Sequence, residues 1–437
     1  MPISRTLPEL GHIIQSHTNS MFEFFNEAKL PQPTLSQEAS IQAPGYPKAI
    51  QDSRAELLEA LDELRTLILG PTSYLYFNTV LSPSWTAIFN VLYRYRIAQH
   101  VPVDGAVTFD VLAARCGLDE SDVRRIVRAA ISLRIFEEDD QGFVTHNAIS
   151  RALTATLTHD GLGFFTEEYM PAALKLPEAL RRFPGSDRAG ESAVALANGS
   201  DGDRDIFSVI ASDEARVKRL ANAMSFMTTI PETSFSNFVD SVPWSPLITQ
   251  QGPPRRPECP KVVVDVGGSQ GDLLEALLRR YPEIERAIVE DLPEVTRTNV
   301  ERGPPGGFSR RIQYQAYDFF TEQVIKDADV YIFSNVFHDW SDSYAVQMLR
   351  NQIPALKPGS RILINDICIE TKGVQNSFIR QAQWGHDLCV KMAMNAKERT
   401  REEWAELLST ADQRFHIESI VTPRQAVHSV IEVTWRG

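Results

Sequence analysis

The sequence predicts an α/β chain: a mostly parallel, doubly wound sheet in the C-terminal half, preceded by an all-α region that carries a winged helix. Two observations lead there. From Lys261 to about residue 415, short β-branched runs alternate with helix-periodic stretches, the pattern of consecutive strand–helix units. Between residues 107 and 150, two helical patterns are followed by two short apolar runs around an acidic turn. The boundary falls in 241–260, where six prolines and Gly252 break both periodicities. The chain therefore reads as an N-terminal arm (1–50), a helical and winged-helix part (51–245) and a nucleoside-binding part (246–437).

Along the chain, Pro31, Pro33, Pro44 and Pro47 predict a short helix and then an extended arm. Leu57, Leu58, Leu61, Leu64 and Ile68 share one helical face over 53–69, and Trp85–Ile97 reads as a buried helix. Thr108 is placed to cap a helix from Phe109 to Arg115, Gly117 to turn the chain, and Asp119 to cap a second helix from Ser121 to about Leu133. Strands follow at 135–137 and 142–144. Arg124, Arg125 and Arg128 on the second helix would suit a DNA groove. The acidic wing Glu137–Asp140 and the net charge of −13 would repel phosphate, so no nucleic-acid partner is expected. Residues 150–245 read as helical. Val217, Leu220, Met224 and Met227 form a stripe suited to a core or to an apolar substrate.

The most informative stretch is Lys261–Asp272, Lys-Val-Val-Val-Asp-Val-Gly-Gly-Ser-Gln-Gly-Asp. A buried strand ends in a carboxylate and a glycine turn. A helix with Leu273, Leu274, Ala276, Leu277 and Leu278 comes next, then a second strand ending at Glu290-Asp291. That order builds a nucleoside pocket at the carboxyl edge of a parallel sheet. Gly267, Gly268 and Gly271 let a ligand approach the backbone, but their spacing is not Gly-x-Gly-x-x-Gly, and no Lys-Ser/Thr follows for a triphosphate. Asp265 suits a cation better than a pyrophosphate, and Asp291 or Glu290 can accept ribose hydroxyls. A ligand with an amino acid, a ribose and a positive charge meets these demands: S-adenosylmethionine.

Three further residues converge on that edge. The strand Asp329–Asn335 leads into His338, the strand from Arg361 ends at Asp366, and Glu398 lies just before a capping box formed by Thr400 and Glu403. An imidazole of ordinary pKa, about 6.5, is largely neutral near neutrality and can act as a general base. Singly, His338 reads equally as a helix cap and each acid as a surface charge. Together they form a set in which the acids hold the imidazole in its productive tautomer.

The motif order resembles the S-adenosylmethionine-dependent O-methyltransferases of the caffeic-acid type, in their fungal polyketide-tailoring branch. The stretches that carry the resemblance are Val264–Gly271, Glu290–Val295, Tyr317–Phe320, Asn335–Asp342, Leu356–Gly359 and Asn395–Thr400, with the winged helix upstream. The resemblance implies a Rossmann-like class I methyltransferase domain at 246–437 and a dimerisation and substrate-lining domain at 51–245. It places Gly267 and Gly268 against the methionine part of the cofactor, Asp291 with its neighbour Leu292 at the ribose, and Asp318 with Phe319 around the adenine. It makes His338 the base flanked by Asp366 and Glu398, acting on a phenolic hydroxyl of a small aromatic molecule in a homodimer. Three positions depart from the pattern: Asp366 stands for a Glu, Ser269 for a frequent Gly, and Ser334 for a Lys or Arg beside the cofactor carboxylate. Two other readings are a pericyclase on the same scaffold, whose relatives usually lose the base, and a winged-helix DNA-binding regulator.

Composition fits. Of the residues 43% are hydrophobic and 23% charged, as in ordinary globular proteins. Cys116, Cys259, Cys368 and Cys389 are scattered without a Cys-x-x-Cys pair, which points to a reducing compartment and no zinc or other metal site. No signal or transit peptide and no run of ~18 apolar residues is visible, so a cytoplasmic location without membrane contact is expected.

Overall fold

The computed structural model describes residues 5–41, 45–244, 259–303, 311–370 and 377–437; most of the proline-rich boundary segment lies outside them. Two compact units are present, one drawn from Met1–Leu174 with Ile210–Thr229 and Asn376–Phe378, the other from Lys175–Val209 with Ile230–Gln375 and Ile379–Gly437. Among the described residues no helix is long and apolar enough to cross a membrane.

The first unit is helical. Its opening helix, Leu7–Glu27, is longer than the short helix expected, because Thr6 and Glu9 form a full capping box and Leu10 and Phe25 are buried. The helix expected at 53–69 starts earlier, at Lys48, and breaks at Gly70, whose φ 67° and ψ 168° are not helical; a second helix opens at Pro71 and runs to Thr79. The helix Ser82–Arg94 buries Ile88 and Leu92 against Phe109, Leu112, Val123, Val127 and Phe136, the core of the winged helix. That motif consists of the helices Phe109–Cys116 and Glu120–Ser132 and three two-residue strands, β1 (Ala106–Val107), β2 (Glu137–Glu138) and β3 (Val144–Thr145), in the order β1-β3-β2. Asp119 caps the second helix through the Ser121 N–H, whereas Thr108 makes no side-chain cap bond to the first. Two of the three arginines that would suit DNA are occupied internally, Arg128 binding Glu138 of the wing at 2.7 Å and Arg124 pairing with Glu120, while Arg125 is exposed. In the helix Glu214–Thr228 the apolar stripe is not a closed core, since Val217 and Met224 are nearly half exposed.

The second unit carries the sheet. Strands β4 (Val262–Val266), β5 (Arg286–Asp291), β6 (Ile312–Ala316), β7 (Val330–Ser334), β8 (Arg361–Asp366), β11 (Phe415–Val421) and β12 (Ser429–Trp435) lie in the order β11-β12-β8-β7-β4-β5-β6. All pair in parallel except β12, which runs antiparallel to β8 and β11. A two-stranded parallel pair, β9 (Cys368–Ile369) with β10 (Arg399–Thr400), stands beyond the end of β8. The strands read as continuous apolar runs because both faces are covered. Val264, Val266, Phe333 and Ile364 pack with Met348, Leu349, Trp404 and Leu408, while Val263, Val289, Ile332 and Leu363 pack with Leu274, Leu277 and Phe238. The order reverses at β4, with β5 on one side and β7 on the other. The crevice outside the carboxyl ends of those strands is where such sheets hold ligands.

Candidate active site

The glycine turn after β4 is built by its neighbours. The N–H groups of Gly267 and Gly268 both donate to the carbonyl of Glu290, at 2.8 and 3.2 Å. Tyr314 Oη donates to the Gln270 carbonyl and Asn299 Nδ2 to the Ser269 carbonyl. Gly267 has φ +75°, and a Cβ at Gly268 would stand 2.6 Å from Asp265 Oδ2, so neither position takes a side chain without rearrangement. Asp265 itself is buried beneath the turn with both carboxylate oxygens lacking a partner. Burial, with Asp291 nearby, pushes its carboxyl up to about 8.

At the end of β5 the two acids part company. Glu290 is fully buried and accepts from Gln323 Nε2 at 2.8 Å. Asp291 is half-buried at the crevice, accepting from the N–H of Ser269 (2.9 Å) and of Leu292 (2.8 Å). Leu292 is exposed. Beyond β6, Asp318 is exposed and its carboxylate closes a turn by accepting from the Phe320 N–H. Phe319 lies 3.9 Å from where a Gly267 Cβ would be, and meets the Trp340 ring edge-on at 5.8 Å.

His338 sits in a one-turn 3-10 helix, Phe337–Asp339, directly after β7. Glu398, sixty residues on, meets it: Nδ1 lies 3.0 Å from Glu398 Oε1. A carboxylate acceptor places the proton on Nδ1, so a neutral ring presents its lone pair at Nε2. Asp339 Oδ1 stands 3.7 Å from Nε2, outside hydrogen-bond distance. The pairing of β10 with β9 sets Arg399 beside Cys368, bringing Glu398 to the end of β8 where Asp366 lies. Asp366 is fully buried, and neither of its oxygens has a hydrogen-bond partner. Of the two acids expected to hold the ring, Glu398 therefore does so by contact, and Asp366 acts through its field alone.

These charges alter the histidine. Burial disfavours its cation, yet Glu398, Asp339 and Asp366 outweigh burial and lift the ring to about 10. The sequence-based expectation of an ordinary imidazole, neutral at neutral pH, is corrected accordingly. Burial pushes the Asp366 carboxyl up to about 7, against the pull of His338.

Residues 258–414 match the family model described as an O-methyltransferase domain. The chain is 33% identical to O-methyltransferase kk1A of Curvularia clavata, over 100% of this chain and 99% of that protein. It is 32% identical to a chlorophenol O-methyltransferase of Trichoderma longibrachiatum, over 98% of this chain and 89% of that protein. The chain belongs to the S-adenosylmethionine-dependent O-methyltransferases. A solved structure described as a pericyclic reaction enzyme shares the fold of this methyltransferase, with TM-score 0.73 at 24% identity, covering 88% of this chain and 94% of that one.

S-adenosyl-L-methionine is the cofactor, and the residues present fit it. A prebuilt glycine cradle, an unpartnered buried carboxylate behind it and a half-open Asp291 ask for a cationic nucleoside. Where the family pattern has a cation, Ser334 accepts from Asn365 Nδ2 at 2.9 Å, which leaves its hydroxyl proton free to donate. Sequence reasoning missed several residues around the methyltransferase's histidine. Asp339 and Arg399 stood inside motifs already singled out. Asp387, whose Oδ1 accepts from the Glu398 N–H, and the paired rings of His386 and His428, 6.5 Å apart, carried no local signal.

Proposed function

We propose that this O-methyltransferase acts on a phenolic hydroxyl of a small aromatic secondary metabolite, with His338 Nε2 as the proton acceptor. The reading rests on the buried His338–Glu398 contact at the carboxyl edge of a methyltransferase sheet. The chlorophenol O-methyltransferase among its relatives supports the substrate class. Bound S-adenosylmethionine supplies a methyl carbon made electrophilic by a sulfonium. Gly267 and Gly268 give the methionine part its room, with Gly271 closing the turn, and a bound cation would draw the Asp265 carboxyl beneath it back to its ionised form. Asp291, with Leu292 beside it, takes the ribose, and Asp318 and Phe319 frame the adenine. A free phenol has a pKa near ~10, close to that of His338, so the proton moves between the phenol oxygen and Nε2 at little cost in either direction. Glu398 fixes the ring and stabilises its cation, and Asp366 adds negative charge from below.

Incubating the protein with the cofactor and a panel of phenols, followed by mass spectrometry, tests the reading. Methyl transfer adds one methylene mass to the phenol and releases S-adenosylhomocysteine. A product of unchanged mass with no cofactor consumed would instead establish a pericyclase.

The chain is also proposed to dimerise. Two apolar stretches, Leu57–Ile68 and Trp85–Ile97, are read as too apolar for a lone surface arm; Ile88 and Leu92 of the second pack within its own unit, so the case rests on the segment before it. There Ile68, Leu75 and Tyr76, with Val80 at the C-cap, are each more than half exposed. A second copy would bury such a patch. Light scattering at micromolar concentration is expected to give twice the chain mass of 49.1 kDa; the single chain mass would reject the dimer.

A further inference from the structure

We propose that Arg399 is the positioning residue of the proton acceptor: its guanidinium grips the main chain on both sides of His338, so that the imidazole meets Glu398 in one geometry. The inference rests on the reading of His338 given above. Left to itself the turn Phe337–Asp339 has little to hold it. It is one turn long, it follows Asn335 in the left-handed region (φ 55°), and its own bonds, Asp339 N–H to the Val336 carbonyl and Trp340 N–H to the Phe337 carbonyl, are both 3.2 Å. Such a turn frays without outside partners.

Arg399 supplies them. Nη1 donates to the Phe337 carbonyl at 2.9 Å and Nη2 to the Trp340 carbonyl at 2.8 Å, one acceptor before His338 in the chain and one after it. Nε donates to Asp342 Oδ1 at 2.8 Å, and Lys397 holds the other oxygen of the same carboxylate at 2.9 Å. The whole side chain is buried, its guanidinium 5.3 Å from the Trp404 ring centre. Glu398 and Arg399 are chain neighbours. One holds the imidazole ring and the other holds the backbone that carries it, and Asp387 fixes the Glu398 N–H between them. Burying a cation contributes little net stability compared with a well-packed apolar residue; what three fixed donors in one plane contribute is geometry. Lysine, a single point charge, cannot reach all three acceptors.

The test is Arg399→Lys in the full-length protein. Two readouts matter besides turnover: the titration of His338, followed by NMR in histidine-labelled protein and assigned against His338→Ala, and the affinity for S-adenosylhomocysteine. The charged groups near His338 are Glu398, Asp339 and Asp366, and the neighbouring His386 and His428 have their cations disfavoured by burial. Only Glu398 touches the ring, so loosening the turn should move the titration down towards the ordinary range. Turnover should fall roughly 10- to 100-fold, the usual cost of a small misplacement, with affinity for S-adenosylhomocysteine unchanged. An unmoved His338 titration in folded Arg399→Lys overturns the proposal. Should that variant not fold, Asp342→Ala serves, since its side chain is half exposed and the substitution removes the acceptor at Nε. A smaller downward shift is expected there, and none would overturn the proposal. A moved titration with undiminished methyl transfer would keep Arg399 as the positioning residue and remove His338 as the proton acceptor. An inactive His338→Ala beside an unmoved titration in Arg399→Lys would do the reverse.

Discussion

His338→Ala is expected to cut methyl transfer by a factor on the order of 10²–10⁴, the range for loss of a positioned base, while S-adenosylhomocysteine binds as before. The ring makes its contact with Glu398, while the glycine turn is held by Tyr314, Asn299 and the Glu290 carbonyl, so none of the turn's supporting bonds runs through the ring. The loss should shrink on phenols that carry electron-withdrawing groups, because these ionise without help. The wild-type pH profile follows from the raised pKa. Held at about 10, His338 keeps its proton at neutral pH, and the proton-accepting form grows as pH rises. The rate on an ordinary phenol is therefore expected to climb from pH 7 towards 10, whereas an unperturbed histidine, with pKa about 6.5, would already be in its basic form at pH 8. Glu398→Gln should cost less than His338→Ala, since it removes the charge that lifts the ring but leaves the ring in place. Wild-type turnover in His338→Ala would place the base elsewhere.

Asp291→Ala is expected to weaken binding of S-adenosylhomocysteine by about 1.5–3 kcal/mol, the contribution of a charged hydrogen-bond acceptor. That is roughly a 10- to 150-fold rise in Kd by calorimetry. Two effects act together. The ribose loses its acceptor, and the N–H groups of Ser269 and Leu292, which Asp291 accepts at 2.9 and 2.8 Å, lose theirs. Glu290→Gln offers a contrast, since that side chain is fully buried and faces Gln323. It should change affinity far less. Unaltered affinity in Asp291→Ala would move the ribose away from the end of β5.

Local pattern was enough for much of the fold. The β4–turn–helix–β5 unit, the strands leading to His338 and Asp366, the Thr400–Glu403 cap and the winged helix are all legible because each depends on neighbours within a few residues: apolar runs, glycines, a capping pair. The break after the helix expected at 53–69 is legible for the same reason, since Gly70 leaves the helical region and Pro71 opens the next helix. The stripe of Val217 and Met224 suits a core or an apolar substrate equally in sequence, and only the fold shows both side chains nearly half exposed.

The sequence by itself determined the family, the cofactor and the identity of the residues at the sheet edge, because a nucleoside crevice needs a fixed order of strand, glycine turn and acid. The tertiary structure alone decided what those residues are electrostatically. Glu398 reaches His338 across sixty positions, Arg399 closes on the turn from the next position, and Asp366 is left buried without a hydrogen-bond partner. A pKa depends on burial and on charges within a few ångströms, and these are set by which distant segments fold together. An imidazole that looked ordinary in the sequence therefore becomes a strong base only once β8, β10 and the turn after β7 meet.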